Sequence, residues 1–203
     1  MIIALPGAGE TAKIYCDVFS AGRYRRLARQ RGHLLVCLSS YGLPLRAENF
    51  EPRLVALRDE LVRTHPHVNK VFLAGYSIGG RSALLIGLRH PEKFDGIVAI
   101  VPWLRLPGDR TKLLPEIVHR LKTYPHEVFV ACAVFDFFFP ISIRDQDKLV
   151  EASEGSLHRH RYWSDHWFVV AVSARDVFNF IDRQPPVAAR RALTAAESIG
   201  AIN

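Results

Sequence analysis

Cysteine is scarce in this 203-residue chain: Cys16, Cys37 and Cys132 are odd in number, widely separated and in no C-x-x-C or metal-type spacing. That usage disfavours both a structural zinc site and a disulfide framework. The N-terminus, "MIIALPGAGE", lacks a basic leader, and its apolar run is too short for a signal-peptide core. No segment approaches membrane-spanning length. A cytoplasmic, reducing location without membrane association is the resulting expectation. Positive charge is in excess but not concentrated. The 27 Lys+Arg against 20 Asp+Glu give +7, yet the arginines are scattered beyond short clusters at Arg23/Arg25/Arg26, Arg159/Arg161 and Arg190/Arg191. Without a long basic run or a ladder of interleaved aromatics, the charge reads as a solvated surface, and no nucleic-acid partner is expected. Internal repeats and low-complexity tracts are also missing.

What the chain does have is apolar content: 49% hydrophobic against 23% charged residues, enough for the core of one compact domain. Short β-rich apolar runs recur at Met1 to Pro6, His33 to Ser40, Lys70 to Tyr76, Gly96 to Pro102 and Glu127 to Phe135, with a weaker run at Ser156 to Trp163. Helical patterns separate them: Lys13 to Arg31, Glu51 to His65, Gly80 to His90, a stretch around Lys112 to Lys122, Asp145 to Glu151 and Trp167 to Asp182. Alternation of this kind predicts an α/β protein, a three-layer α/β/α sandwich on a mostly parallel sheet of about six strands. Continuous rather than alternating apolar strands agree with a sheet covered on both faces. Gly32 after a helix ending in Arg-Gln-Arg is a C-terminal stop, and Pro91 ends the helix after Ser77. Residues 1–183 are read as one domain with a short flap at about 103–126, and 184–203 as an Ala-rich helical tail without chemistry.

The stretch "AGYSIGGRS" places Gly75-x-Ser77-x-Gly79 where a predicted strand meets a predicted helix. A serine projected from such a sharp turn needs small neighbours at i−2 and i+2, so that strand and helix can approach. The helix beyond it aims unpaired N–H groups and partial positive charge at the same point. The bare pattern is common, and its neighbours decide what it is. An acid and a base should follow at the ends of later strands.

Asp136 stands directly after the run "VFVACAVF", where a carboxylate needs a partner such as a histidine N–H, the alternative being a turn or cap aspartate. His166, in "YWSDHWFVV", falls between the last strand and the last helix, where a base is needed, unless it is only a half-exposed helix-start histidine. His158 and His160 alternate with arginines inside the strand and are expected to face solvent, and Asp109 is the first rival acid. Amide donors for an oxyanion are expected at Ile78, after the nucleophile, and in the turn "PGAGE", with Ala8 the second donor; a plain glycine turn is the alternative.

With these residues in view, the chain resembles the serine esterases of the α/β-hydrolase superfamily, among them the esterase D, feruloyl-esterase and polyhydroxyalkanoate-depolymerase types. The resemblance rests on "LPGAGE", "LARQRGHLLVCLSSYG", "VFLAGYSIGGRSALLIGLRHPEKFDGIVAIVPW" and "FDFFFP…YWSDHWF", sampled from Met1 to about Asp182, and the third passage is the specific one. It implies Ser77 as nucleophile, His166 as general acid/base, Asp136 as its orienting acid, and the Ala8 and Ile78 amides as the oxyanion hole. It implies neither metal nor organic cofactor, and a small-molecule ester as substrate. Pro6 stands where the family often has histidine, and the chain begins at what would be the family's third strand, as in a minimal or shortened member. Tyr76, Trp103, Phe137 and Trp167, with Phe135, Phe138 and Phe139, are candidate substrate-binding residues, though such aromatics are more often core. The competing expectation is a catalytically inactive member that binds a small ligand or a protein.

Overall fold

The computed structural model describes residues 1–40, 50–106, 109–113, 115–136 and 143–184, with backbone alone at 105–106, 109–113 and 143–146. Phe137 to Phe139 and the tail from 185 onward lie outside the described residues. Six strands, β1 (Ile2–Leu5), β2 (Leu35–Cys37), β3 (Phe72–Tyr76), β4 (Gly96–Ile100), β7 (Val128–Ala133) and β8 (Leu157–Tyr162), form one sheet in the order β2-β1-β3-β4-β7-β8. Every pairing in it is parallel. The six runs picked out by apolar content are therefore the six strands, each trimmed at its ends.

Side-chain alternation splits the core into two layers. Ile3, Leu5 and Leu73 face a layer shared with α2 (Phe50–Thr64), α3 (Ile78–Arg89), α4 (Pro115–Leu121) and α5 (Ile143–Ala152). Ile2, Ala4, Phe72, Ala74 and Tyr76 face the other layer, with a π-helix (Ile14–Phe19), α1 (Arg23–Gln30) and α6 (Val169–Arg183). A strand between two apolar layers has no polar face, which is why these strands read as continuous runs.

Three expectations are corrected. The single helix read over Lys13 to Arg31 is two, because Ala21 and Gly22 take positive φ (50° and 68°) between the π-helix and α1. The helix read around Lys112 to Lys122 begins only at Pro115. The residues before it form a two-stranded antiparallel hairpin, β5 (Arg105–Leu106) with β6 (Asp109–Leu113). The third correction concerns sulfur. Cys16, in the π-helix, and Cys37, at the end of β2, are joined as a disulfide across 21 residues. The pairing depends on β2 lying beside β1 under the π-helix, a proximity that spacing along the chain does not reveal. It also removes the cysteine-based argument for a reducing compartment. Cys132 is the free cysteine, buried on β7, with its thiol pushed up to about 12 by that burial. Reducing the Cys16–Cys37 bond should lower stability by about 3 kcal/mol, the closure entropy of a loop of this length. Denaturant titration with and without reductant measures it, and coincident midpoints would show that the bond contributes nothing.

The stop at Gly32 is as expected. Gly32 takes φ 69°, and His33 N–H and Gly32 N–H donate to Ala28 O (2.8 Å) and Arg29 O (3.4 Å), the paired bonds of a Schellman ending.

Candidate active site

β3 delivers Ser77 and α3 begins directly after it. Ser77 sits at φ 56°, ψ −118°, outside the regions that L-residues ordinarily occupy, which costs about 1–3 kcal/mol and persists only where neighbours enforce it. The enforcement is visible. Ser77 N–H donates to Ile100 O of β4 (2.9 Å), while Ser77 O accepts from Arg81 N–H (3.1 Å) and Trp103 N–H (3.2 Å). The flanking glycines are there for space. A Cβ at Gly75 would lie 2.1 Å from Gly79 O, and one at Gly79 would lie 2.3 Å from Pro6 O and 2.5 Å from Leu5 O. Gly79 thus lets the loop after β1 press against the first turn of α3.

That loop carries the turn Gly7 to Glu10. Glu10 N–H donates to Gly7 O (3.3 Å), and Gly9 takes φ 73°, a conformation reserved in practice for glycine. Ala8 is exposed, and its N–H has no hydrogen-bond partner among the described residues. Ile78 N–H, at the first position of α3, has no intrahelical acceptor. Two unspent amide donors therefore flank the packed contact at Gly79.

β7 and β8 bring Asp136 and His166 together. Their pairing continues past the strands, with Val134 N–H donating to Tyr162 O (2.9 Å) and Phe135 N–H to Ser164 O (3.0 Å). Asp136 follows on one chain and His166 on the other. His166 Nδ1 lies 2.8 Å from Asp136 Oδ2, with both side chains almost wholly buried (7% and 3% exposed). The contact fixes the ring orientation and, in the neutral imidazole, puts the proton on Nδ1 and the lone pair on Nε2. Asp165 holds the turn from the other side, its carboxylate accepting from Trp167 N–H (3.0 Å) and Phe168 N–H (2.7 Å) ahead of α6. Asp165 was not singled out from the sequence, although an aspartate three residues before a helical run carries the signal of a cap.

Tyr76 connects the two halves: its ring packs on His166 with centroids 5.1 Å apart and stacks on Tyr15 at 5.7 Å. Tyr76, a candidate substrate-binding residue in the sequence, is 1% exposed and is part of the core. It points down because residue 76 falls on the strand face that carries Phe72 and Ala74. Its phenol is pushed well up by burial and by the charges of Glu10, Asp136 and Asp165. Among the described residues no hydrogen bond joins the Ser77 hydroxyl to His166, a looseness common in hydrolase sites without substrate.

The remaining candidates surround this centre. Trp167 is half-exposed and meets His166 edge-on at 6.0 Å, Trp103 is half-buried behind the elbow, and exposed Phe135 contacts Trp163 at 5.8 Å. His158 and His160 are exposed on β8, as expected. No group of three or more His, Cys, Asp or Glu residues suited to a metal ion occurs among the described residues.

Comparison with known proteins follows the same lines. The profile of the family described as serine aminopeptidase, S33, matches residues 52–195. No curated protein sequence matches the chain. Among solved structures, the esterase Pf2001 of Pyrococcus furiosus superposes with a TM-score of 0.70 at 14% identity, over 90% of this chain and 82% of that one. An S-formylglutathione hydrolase from Agrobacterium tumefaciens gives 0.68 at 18% identity, over 91% and 84%. The fluorophosphonate-binding serine hydrolase FphF of Staphylococcus aureus gives 0.68 at 13% identity, over 89% and 82%. At such identities the structural likeness speaks for the fold alone.

Proposed function

The chain belongs to the S33 serine aminopeptidase family of α/β-hydrolases, and from that premise we propose that it is a serine hydrolase cleaving carboxylic esters through Ser77, His166 and Asp136. The observation that carries the reading is the buried His166–Asp136 contact of 2.8 Å, with His166 packed on Tyr76, the residue that precedes a serine in a strained strand-to-helix turn. A desolvated carboxylate–imidazole pair serves no packing need that apolar residues would not meet as well.

In the proposed mechanism His166 Nε2 takes the Ser77 proton as Oγ attacks the ester carbonyl, and Asp136 steadies the imidazolium that forms. The tetrahedral oxyanion is held by the Ala8 and Ile78 amides. His166 then gives its proton to the departing alcohol, leaving an acyl group on Ser77. A water molecule, deprotonated by the same histidine, attacks the acyl-enzyme, and collapse of that intermediate returns the proton to Ser77 and releases the acid. Trp103 and Trp167 are assigned to the substrate path, a reading supported by the edge-on contact of Trp167 with His166 and the Trp103 N–H bond to Ser77 O, and Phe137 is assigned there from the sequence alone. The hairpin and α4 fall within the proposed flap of the 1–183 domain.

The test is a panel of short-chain chromogenic acyl esters, a matching thioester and an amino-acyl anilide, together with intact-mass analysis after fluorophosphonate treatment. Turnover of the oxygen esters with stoichiometric labelling at Ser77 is expected. Preferential turnover of the anilide would move the assignment to an amidase. A folded protein that neither turns over nor labels would leave the non-catalytic, ligand-binding reading in its place. Thiol counting on protein taken directly from cells addresses location. Free Cys16 and Cys37 agree with the proposed cytoplasmic setting, whereas an intact bond argues for an oxidising compartment.

A further inference from the structure

Glu10 is the one carboxylate in the loop expected to hold the oxyanion. Its Oε2 accepts from Gly7 N–H at 2.8 Å, closing the turn from the side-chain direction while Glu10 N–H to Gly7 O closes it along the backbone. The carboxylate lies so tightly over Gly7 that a Cβ there would meet Oε1 at 2.6 Å, so any side chain at position 7 would push the carboxylate off the Gly7 N–H. From below, Ser40 fixes the same turn: its N–H donates to Glu10 O (2.9 Å), and its Oγ lies 3.0 Å from Gly7 O and 2.9 Å from Glu10 O. The carboxylate is half-buried, and its charge acts on Tyr15, Tyr76 and His166. Burial raises its pKa, with Gly7 N–H and His166 opposing that effect. A half-buried charge with one backbone partner is not placed there by surface solvation.

We infer that Glu10 is a positioning residue of the oxyanion loop: by occupying Gly7 N–H it locks the 7–10 turn in the shape that leaves Ala8 N–H as the free donor. The physical logic is selection between neighbouring amides. Without the carboxylate, Gly7 N–H becomes an unpaired buried donor, and the turn relaxes to satisfy it, moving Ala8 away from the contact at Gly79. Glu10 acts through the backbone and touches neither substrate nor nucleophile.

The inference rests on the hydrolase reading, and two variants separate the outcomes. Glu10→Gln keeps an acceptor oxygen and removes the charge, while Glu10→Ala removes both. In Glu10→Ala, kcat on a neutral acyl ester is expected to fall by about tenfold to a hundredfold with KM changed less than about twofold, as for a displaced transition-state donor. Glu10→Gln should recover most of that loss. Hydrogen exchange at the Gly7 amide, followed by NMR, should accelerate in Glu10→Ala and stay slow in Glu10→Gln, whether or not the protein turns over esters. Equal Gly7 exchange in wild type and Glu10→Ala would overturn the inference, as would an unchanged kcat in an active enzyme. An inert wild type with the expected exchange pattern would sink the hydrolase reading and leave the anchoring of the turn established.

Discussion

Ser77→Ala is expected to lower kcat on a short-chain acyl ester by about 10⁶-fold, the loss found where a nucleophile acts as one unit with its base. Labelling by a fluorophosphonate should disappear with it. Fold and stability should hardly suffer, because the backbone bonds that define the elbow belong to the amide and carbonyl of residue 77 rather than to its hydroxyl. Alanine at φ 56° is no more strained than serine. Initial-rate kinetics, intact mass after labelling and a thermal melt therefore answer different questions. Retained turnover in a purified variant would mean that the reactive group lies elsewhere. Lost turnover with an unchanged melting temperature isolates the hydroxyl.

The second large effect is expected at Asp136. Asn in its place retains the size and one acceptor oxygen, yet it can present an amide N–H to His166 and turn the imidazole to the wrong tautomer. The expected loss in kcat is about 10⁴-fold, with slow but detectable labelling of Ser77, since the serine and its amide donors are untouched. Removing one partner from a buried pair also threatens stability, by about 3–5 kcal/mol when nothing replaces it. Asn keeps that penalty small, so Asp136→Asn is the cleaner probe and Asp136→Ala the stability control. Unchanged turnover in Asp136→Asn would transfer the orienting role to another carboxylate, with Asp109 the first to examine.

The two predictions differ in what they owe to the sequence. Ser77 was legible because Gly75 and Gly79 bracket it at the end of an apolar run, and the atoms that forbid a Cβ at either glycine are backbone atoms of the same elbow or of the neighbouring strand end. Asp136 and His166 were legible as positions, each following an apolar run, in the order Ser, Asp, His. Their contact was expected, from the needs of a buried carboxylate and from the family resemblance, but its geometry was not legible. It depends on β7 and β8 being adjacent and parallel, and on the two backbone bonds that prolong their pairing to Phe135 and Ser164. Family membership adds that the chain is built as a hydrolase, while the choice of ester as substrate remains the proposal tested above.

Where the reading from sequence went astray, the cause was a pairing or a facing of side chains that no single apolar run displays. The polar stretch around Arg105 to Leu113 has no β-rich apolar signal, and its strands exist because each supplies the other's hydrogen bonds. Tyr76 was a candidate for substrate binding because it neighbours Ser77, but a strand alternates, and residue 76 falls on the face that packs into the core with Phe72 and Ala74. Cys16 and Cys37 looked independent at a separation of 21 residues and are joined because crossover of the chain lays β2 against β1.

By itself, then, the sequence determined the six strands of the main sheet, its two-sided burial, the elbow at Ser77 and the order in which Asp136 and His166 follow it, because each is written in local residue size and polarity. The tertiary structure decided which amides are free, which cysteines meet, what Glu10 touches and the geometry in which His166 lies on Asp136. Those are contacts between segments 3 to 30 residues apart whose partners are chosen by sheet order and loop packing, and no local preference of the chain encodes that choice.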